Sequence, residues 1–362
     1  MIRTTTFMDL PLEVQEQIAP YLSQQDLSAC TLVCQEWRNY FSTYFWRDID
    51  IDWNGSEAWQ DGLSQALKTS GHLVQSLKLR SIGNGDLSSF LESCPSTFPQ
   101  LTSVEMEVSY DSGKDKDVAR FIDLSSAGWK RLVFRKTKGP MSQGLFNFRD
   151  QAFEALCKHT STLEVFRIEV NSALDSHQTN HLLCSAPNLK EIYFAWNYEL
   201  AWGSRMDARA IVQSDWICNN LEVFACQIGE IPRPDMTRDI YYREARAFTC
   251  PGSPQYSIEL QRQVYSKLAK LTKLRELRLG FVLDTTHPSY GREREEYYRQ
   301  YQCLAMTLES GLDLLKGLQN LRVVDLSNME IYIDGDEEQR WFAEHWPNAT
   351  ILETEWDIYA DV

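Results

Sequence analysis

Three groups of side chains in this chain have spacings that could support chemistry. His177, His181 and Cys184 would follow one another along a helix at intervals typical of zinc ligands. Cys157 and His159 bring a nucleophile and a base close together in the sequence. A third group is a run of carboxylates, whose oxygen atoms could hold a divalent cation; it lies at residues 334–338.

None of the three groups is completed by the residues that its chemistry would need. Cys184 occupies the same position at a helix end as Cys157 and Cys218, where a small buried thiol packs well. No carboxylate that could orient His159 is identifiable, and the 334–338 run lacks the spaced ligands of a calcium loop. We therefore expect no catalytic residue, no metal site and no cofactor, and we expect that the chain is not an enzyme.

The composition indicates a globular chain with an acidic balance. Its 362 residues are 43% hydrophobic and carry a formal net charge of −15 at pH 7, so a core is possible and nucleic acid is a poor partner. No apolar run approaches the roughly 18 residues that a membrane span needs, and no secretory signal is recognisable. The nine cysteines show no disulfide framework. We expect reduced thiols, no membrane contact, and a cytoplasmic and/or nuclear location.

Helix signals dominate the beginning of the chain. Pro11 can open a helix, because the first helical turn needs no N–H donor there, and Pro20 should end or kink that helix. Ser23 and Asp26 have the spacing of a capping box, and apolar residues recur at intervals of three and four from Leu27 onward. The pattern predicts a compact set of short helices. Because so small a unit buries little surface alone, we expect it to complete its core on another protein.

The order of these residues closely resembles the F-box motif. The matching segments are Leu10-Pro11-x-Glu13-Val14, Ile18-x-x-Tyr21-Leu22, Asp26-Leu27, Leu32-Val33-Cys34-x-x-Trp37-Arg38 and Trp46. The resemblance implies a module that docks on the Skp-type linker subunit of a cullin-RING ubiquitin ligase. By position, the linker contacts of the family carry over to Leu10, Pro11, Ile18, Leu22, Leu27, Val33 and Trp37. Cys34 departs from the family, which often has Ser there. The alternative is a helical cap whose apolar stripe packs against the domain behind it.

A second pattern repeats along the rest of the chain. Segments of the form Leu-x-x-Leu-x-Leu, with other apolar residues allowed, begin at Val74, Leu101, Trp129, Leu163, Leu189, Leu221, Leu274, Leu321 and, more weakly, Ala349. Helical stretches precede most of them, and most spacings lie at or slightly above the length of one leucine-rich repeat. The region resembles the irregular leucine-rich repeat arrays that follow F-boxes. This resemblance implies an α/β solenoid with a parallel sheet on its concave face; an ordinary α/β domain is the alternative.

These patterns divide the chain into three parts. They are an F-box at residues 1–46, a connecting segment at 47–72 that packs on the solenoid, and a leucine-rich repeat domain at 73–362. Alternating Asp and apolar residues predict a short strand at the start of the connecting segment. Because no Gly/Ser-rich linker separates the parts, we expect the F-box to be rigidly mounted. Two long spacings indicate insertions near residues 229–256 and 284–302.

Side chains on the concave face are predicted to form the target surface. Alternation along the predicted strands assigns arginines and an aromatic residue to this face, and two Trp follow the fifth strand as aromatic anchors. The predicted target-binding residues are Arg131, Arg135, Arg167, Tyr193, Trp196 and Trp202. Arg131 and Arg135 form a basic patch that could attract an acidic or phosphorylated target segment. Equally open is a ladder in which these two arginines pair with Glu105 and Glu107 on the neighbouring strand.

The two patterns together indicate the substrate-recognition subunit of an SCF-type ubiquitin ligase. The F-box would bind the linker, the repeats would bind an unknown protein substrate, and proximity would bring the target's lysines to a conjugating enzyme. The alternative is a non-catalytic leucine-rich repeat scaffold that acts outside a ligase. Cullin-dependent ubiquitination of a bound partner would distinguish the two hypotheses.

Overall fold

The computed structural model describes residues 7–53, 57–82, 86–108, 114–136, 146–170, 174–194, 205–232, 253–280, 302–327, 329 and 336–352. Several predictions fall outside these residues. They concern Trp196, Trp202, most of the two predicted insertions, and the start of the carboxylate run at 334–338.

Short helices form the N-terminal part, as predicted. A 3-10 turn at Phe7–Asp9 is followed by α1 (Leu12–Ile18), a second 3-10 turn (Ala19–Tyr21), α2 (Gln24–Thr31) and α3 (Gln35–Phe45). The predicted end of the first helix near Pro20 is confirmed, since α1 gives way to the 3-10 turn that contains this proline.

The predicted capping box at the start of α2 is also confirmed. The Ser23 hydroxyl oxygen accepts a hydrogen bond from the Asp26 backbone N–H at 3.2 Å, and the Ser23 backbone N–H donates to an Asp26 carboxylate oxygen at 3.2 Å. Hydrogen bonds from the Ser23 side chain and backbone lower the pKa of Asp26 below its usual value. The carboxylate therefore stays ionised at the helix N-terminus, where the helix dipole favours an anion.

The rest of the chain alternates strands and helices. The strands are β1 (Asp48–Asp52), β2 (Ser76–Ile82), β3 (Ser103–Val108), β4 (Arg131–Lys136), β5 (Val165–Ile168), β6 (Glu191–Phe194), β7 (Arg205–Asp207), β8 (Val223–Ala225), β9 (Gln227–Gly229), β10 (Glu276–Arg278), β11 (Val323–Asp325) and β12 (Thr350–Leu352). The helices are α4 (Glu57–Ser70), α5 (Asp86–Ser93), α6 (Asp115–Ile122), α7 (Asp150–Cys157), α8 (Ser176–Ser185), α9 (Ala208–Gln213), α10 (Pro254–Leu268) and α11 (Asp336–His345), with 3-10 turns at Gly71–Leu73 and Leu312–Gly317.

Ten of these strands form one parallel sheet, in the order β1-β2-β3-β4-β5-β6-β8-β10-β11-β12. Neighbours in this sheet follow one another in the chain, apart from β7 and β9, which pair with each other in a separate two-stranded sheet. The strand predicted at the start of the connecting segment is confirmed as β1, which pairs with β2 in parallel. The connecting segment is therefore the first strand and helix of the α/β part.

The main core lies between the large sheet and the helices. Strand residues such as Leu77 and Leu79 are buried at the predicted leucine positions and belong to one apolar cluster with helix residues such as Phe90 and Phe121. Alternate residues of β3, β5 and β6 face the other way and are half-buried. One face of the sheet is thus covered by helices, and the other face presents its side chains outward.

The helical unit is joined to the sheet by several backbone contacts. The Gln24 side-chain amide donates to the Phe45 carbonyl at 3.1 Å and to the Asp48 carbonyl at 2.6 Å, across the end of α3. The Arg47 carbonyl accepts from the backbone N–H groups of residues 75 and 76, at the start of β2. Trp46 packs against the main core. These contacts hold the last helix of the unit on the first two strands.

Candidate functional site

The entry to α1 is fixed by a buried glutamine. Pro11 precedes α1 in an extended conformation, and its carbonyl accepts from the backbone N–H groups of Val14 at 2.9 Å and Gln15 at 3.1 Å. The Gln15 side-chain amide, which is buried, donates to the Leu10 carbonyl at 2.8 Å. The Leu10-Pro11 pair is therefore held in one orientation, with Leu10 half-buried and Pro11 exposed.

The helical unit has a small core of its own. Ala19, Leu27 and Phe41 are buried together, and aromatic rings close around them. The Phe7 and Phe41 ring centroids lie 5.1 Å apart, and those of Trp37 and Phe41 lie 5.3 Å apart. Aromatic pairs at these distances add stabilisation beyond their buried area.

This core changes the interpretation of one predicted linker contact. Leu27 is only 6% exposed and packs inside the unit, so it supports the helices and presents little surface to a partner. Trp37 and Leu22 are half-buried and pack against the same core, while Ile18 and Val33 are exposed. The predicted set therefore divides into residues that hold the unit together and residues that lie on its surface.

The surface of the unit carries a concentration of exposed apolar side chains, which we call the apolar surface. Among the described residues, six of the nine large exposed hydrophobic side chains belong to this unit. They are Leu12, Val14, Ile18, Tyr21 (90% exposed), Leu32 (74%) and Val33 (62%). Single exposed apolar side chains are ordinary, but a concentration of this kind on one small unit is typical of a protein-binding surface.

The turn between α2 and α3 fixes two residues of the apolar surface. The backbone N–H of Leu32 donates to the Ala29 carbonyl at 3.1 Å, and that of Val33 donates to the Cys30 carbonyl at 3.3 Å. On the other side of the turn, the Cys34 sulfur accepts from the Trp37 backbone N–H at 3.5 Å and so caps α3. The turn is therefore ordered on both sides, and its two apolar side chains extend outward.

Four residues of the apolar surface were not among the predicted linker contacts. They are Leu12, Val14, Tyr21 and Leu32. The periodicity of the sequence marks Val14 and Tyr21 as apolar positions of the first helix, but periodicity does not reveal which side of a short helix is covered. Leu32 lies in a turn, where no periodic pattern applies.

Four of the six predicted target-binding residues lie on the open face of the sheet, and the other two, Trp196 and Trp202, lie outside the described residues. Arg131, Arg135, Arg167 and Tyr193 all project from this face and are half-buried. Arg135 Nε lies 3.4 Å from Glu105 Oε1 and 3.9 Å from Glu169 Oε2. The alternative ladder of ion pairs therefore exists for Arg135, although its partners are Glu105 on β3 and Glu169, which directly follows β5.

The alternative in which Arg131 pairs with Glu105 or Glu107 is not found among the ion pairs of the residues that the structure describes. In register, Arg131 lies opposite Ser103 on β3 and Val165 on β5, and the diagonal carboxylate of Glu105 forms its ion pairs with Lys78 and Arg135 instead. Among the three arginines predicted to bind the target, Arg131 is therefore the one that forms no ion pair with a described residue of the face.

Tyr193 is held between two arginines. The Arg167 guanidinium lies 5.2 Å from the centroid of the Tyr193 ring and the Arg278 guanidinium lies 5.9 Å from it, both within the range of cation–π interactions. Ala225, on the intervening strand β8, is buried beside them and is small enough to let Arg278 reach across. Burial raises the pKa of Tyr193. The half-buried side chain is therefore held in one position on the sheet face.

Three of the side chains that suggested chemistry, His181, Cys157 and His159, have packing or burial that the structure describes. His181 packs edge-on against Phe153, with ring centroids 5.7 Å apart. Desolvation raises the pKa of the Cys157 thiol and lowers the pKa of buried His159, which favours the neutral form of both side chains. Within the described ranges, no group of three or more His, Cys, Asp or Glu side chains could hold a metal ion. In the same ranges, no helix has the length and apolar character of a membrane span.

Comparison with known proteins identifies the N-terminal unit. The F-box-like family model matches residues 7–52, which cover the three helices, the turn between α2 and α3, and strand β1. No curated protein matches the chain. The chain therefore carries an F-box-like domain at residues 7–52, followed by an α/β part with a parallel sheet.

Proposed function

We propose that this protein is the substrate receptor of an SCF-type cullin-RING ubiquitin ligase. The observation that carries the proposal is the apolar surface, because it lies within the segment that matches the F-box-like family. F-box domains in general bind a Skp-type linker, and burial of apolar side chains is the main favourable contribution to such an association. The side chains with the largest exposed fractions are Tyr21, Leu32 and Val33.

The α/β part is proposed to be an irregular leucine-rich repeat array that binds the target. Three features support this: parallel strands that follow one another in the sheet in chain order, described helices that pack on one face of the sheet, and apolar residues at the repeated strand positions. The open face would then be available to a protein substrate. Its charged residues and Tyr193 offer ionic and aromatic contacts of the kind that give protein interfaces their specificity.

In this proposal the chain performs no bond chemistry. Its contribution is proximity, because a target held on the sheet raises the effective concentration of its lysines near a conjugating enzyme carried elsewhere on the ligase. The contacts of Gln24 and Arg47 between the helical unit and the first strands support a fixed distance between linker and target. A ligase of this kind would act in the cytoplasm and/or the nucleus.

Capture of a purified Skp-type linker tests the proposal. The double variant Leu10→Ala, Pro11→Ala should lose most linker binding, because the Leu10 side chain would no longer be buried in the contact and the Pro11 ring would no longer fix the entry to α1. Val33→Asp should lose it too, because a carboxylate would be buried without a partner in the contact. Both variants should keep the sheet folded, since these side chains lie outside the main core.

A matched control is available in the α/β part. Ile217 is also an exposed apolar residue but lies far along the chain, between α9 and β8. Ile217→Asp should therefore capture the linker as the wild type does. Equal capture by the wild type and the Val33→Asp variant would contradict the proposed linker surface. Addition of a cullin, a RING subunit and a conjugating enzyme should then support ubiquitination of a captured target only with the wild type and the Ile217 variant.

A further inference from the structure

A cavity of about 750 Å³ lies at the edge of the sheet where the strands begin. Backbone hydrogen bonds continue the sheet by one residue at this edge. The backbone N–H of Arg275 donates to the Glu222 carbonyl at 2.7 Å, and that of Arg322 donates to the Arg275 carbonyl at 2.8 Å. Glu222, Arg275 and Arg322 are therefore consecutive members of one row, separated by the roughly 4.8 Å between adjacent strands.

The cavity is positively charged although the protein is acidic. Lys273, Arg275 and Arg322 line it against a single carboxylate, Glu222, which leaves a formal charge of +2 in a chain whose total is −15. Glu222 forms an ion pair with Arg275. Lys273 Nζ donates to the neutral side-chain oxygen of Asn220 at 2.6 Å, and Arg322 has no ion-pair partner among the described residues. The positive charges of Lys273 and Arg322 thus remain without a compensating carboxylate.

The remainder of the same row shows that this excess is local. One residue of the row lies directly before each strand of the large sheet from β4 to β11. These residues are, in order, Lys130, Glu164, Lys190, Glu222, Arg275 and Arg322. The charges alternate along the row, and Lys190 pairs with Glu164 at 2.5 Å. The alternation ends where Arg275 is followed by Arg322. Like charges on adjacent strands repel each other, so this position is stabilised when an anion lies between them.

We propose that this cavity binds the dianion of a phosphate monoester. A phosphate monoester carries a charge of roughly −1.5 to −2 at pH 7, which matches the two uncompensated cations, whereas one carboxylate would neutralise only one of them. The Arg322 guanidinium can bind two phosphate oxygens at once, and the Lys273 ammonium can bind a third. Exposed Asn348 adds an amide donor to the lining. The ester could belong to a phosphorylated side chain of a target or to a free phosphorylated small molecule.

Calorimetric titration of the full chain with O-phospho-L-serine, glucose 6-phosphate, inorganic phosphate and L-glutamate tests the proposal. The phosphate monoesters should bind, and L-glutamate should bind much more weakly. Arg322→Gln and Lys273→Gln should each weaken monoester binding by roughly tenfold, as expected for the loss of a charge-assisted hydrogen bond. Lys130→Gln, which removes a cation at the other end of the same row, should have no effect. Absence of monoester binding, or an equal loss in the Lys130 variant, would overturn the proposal.

Two further measurements test the sign of the charge effect. Glu222→Gln removes the one carboxylate of the lining and should strengthen monoester binding. Lowering the pH from about 7.5 to 5.5 should weaken binding, because the second phosphate pKa lies near 6 while Arg and Lys stay protonated. Binding that is independent of pH over this range, or weaker in the Glu222 variant, would refute recognition of a dianion.

The source of the ester is distinguished by a second titration. A pool of phosphoserine peptides with varied flanking residues should bind more tightly than glucose 6-phosphate if the cavity reads a phosphorylated protein, and more weakly if it holds a free small molecule. Either result supports the phosphate site. Linker capture by the Arg322 and Lys273 variants should equal that of the wild type, so failure of the phosphate proposal is distinguishable from failure of the proposed linker binding.

Discussion

Charge reversal at two arginines of β4 separates a structural role from a recognition role on the open face of the sheet. Arg135 lies between Glu105 and Glu169, whereas Arg131 lies beside Ser103 and Val165. The variants Arg135→Glu and Arg131→Glu make the same chemical change on the same strand. They should nevertheless have different effects on the free energy of unfolding.

The expected magnitude for Arg135→Glu follows from its two ion pairs. Half-exposed pairs contribute about 0.2–1 kcal/mol each, and reversal replaces two attractions with two repulsions, so we expect a loss of about 1–3 kcal/mol. Lys78 lies 3.2 Å from Glu105 and Arg167 lies 3.8 Å from Glu169, and these cations limit the repulsion. For Arg131→Glu, which breaks no ion pair in the described part of the chain, we expect a change within about 0.5 kcal/mol.

Urea unfolding followed by circular dichroism measures both effects, and repetition in about 1 M salt tests their electrostatic origin. The difference between the variants should shrink at high salt, because exposed charges are screened over a few ångströms. Equal destabilisation by the two variants, or a difference that salt does not change, would refute the assignment of Arg135 to the ladder. Loss of target binding by Arg131→Glu with unchanged stability would support its role in recognition.

Three further perturbations test local features of the fold. Cys34→Ser should stabilise the start of α3 by about 0.5–1 kcal/mol, because a hydroxyl is a better N-cap acceptor than a thiol, and hydrogen exchange at the Trp37 amide should slow accordingly. Asp115→Ala should destabilise the α/β part by about 1–2 kcal/mol in urea unfolding, because this carboxylate accepts three backbone N–H groups at the start of α7. The pKa of Asp26 is lower in the folded protein than in the unfolded chain, so the ionised carboxylate stabilises α2. This stabilisation is present above the ordinary Asp pKa of about 3.9 and is lost as the pH falls through the lower pKa of the folded protein. Asp26→Asn should abolish this acid dependence of α2 helicity.

The parts of the fold that local sequence determines could be predicted. The capping box at Ser23, the interruption at Pro20 and the alternating strand β1 each depend on residues that are close in the chain. The buried strand positions follow from the repeated apolar pattern for the same reason. These features arise from backbone and side-chain geometry within a few residues, so they do not require knowledge of what packs against them.

The features that depend on distant neighbours could not be predicted. Leu27 and Val33 are both apolar, and only the packing of three helices decides that Leu27 is buried while Val33 is exposed. Glu169 follows β5 and lies beyond the predicted strand segment, so its approach to Arg135 was missed. The two-stranded sheet of β7 and β9 could not be predicted either, because its strands lie outside the repeated apolar pattern.

Hydrogen–deuterium exchange of the chain with and without a purified Skp-type linker tests the central claim most directly. If the apolar surface is the docking site, the linker should slow exchange of the backbone amides of α1, the turn that follows it and the turn between α2 and α3. The strands of the large sheet should exchange at the same rates in both samples. Protection confined to the α/β part, or unchanged exchange under conditions where a known F-box domain binds the same linker, would contradict the proposed function.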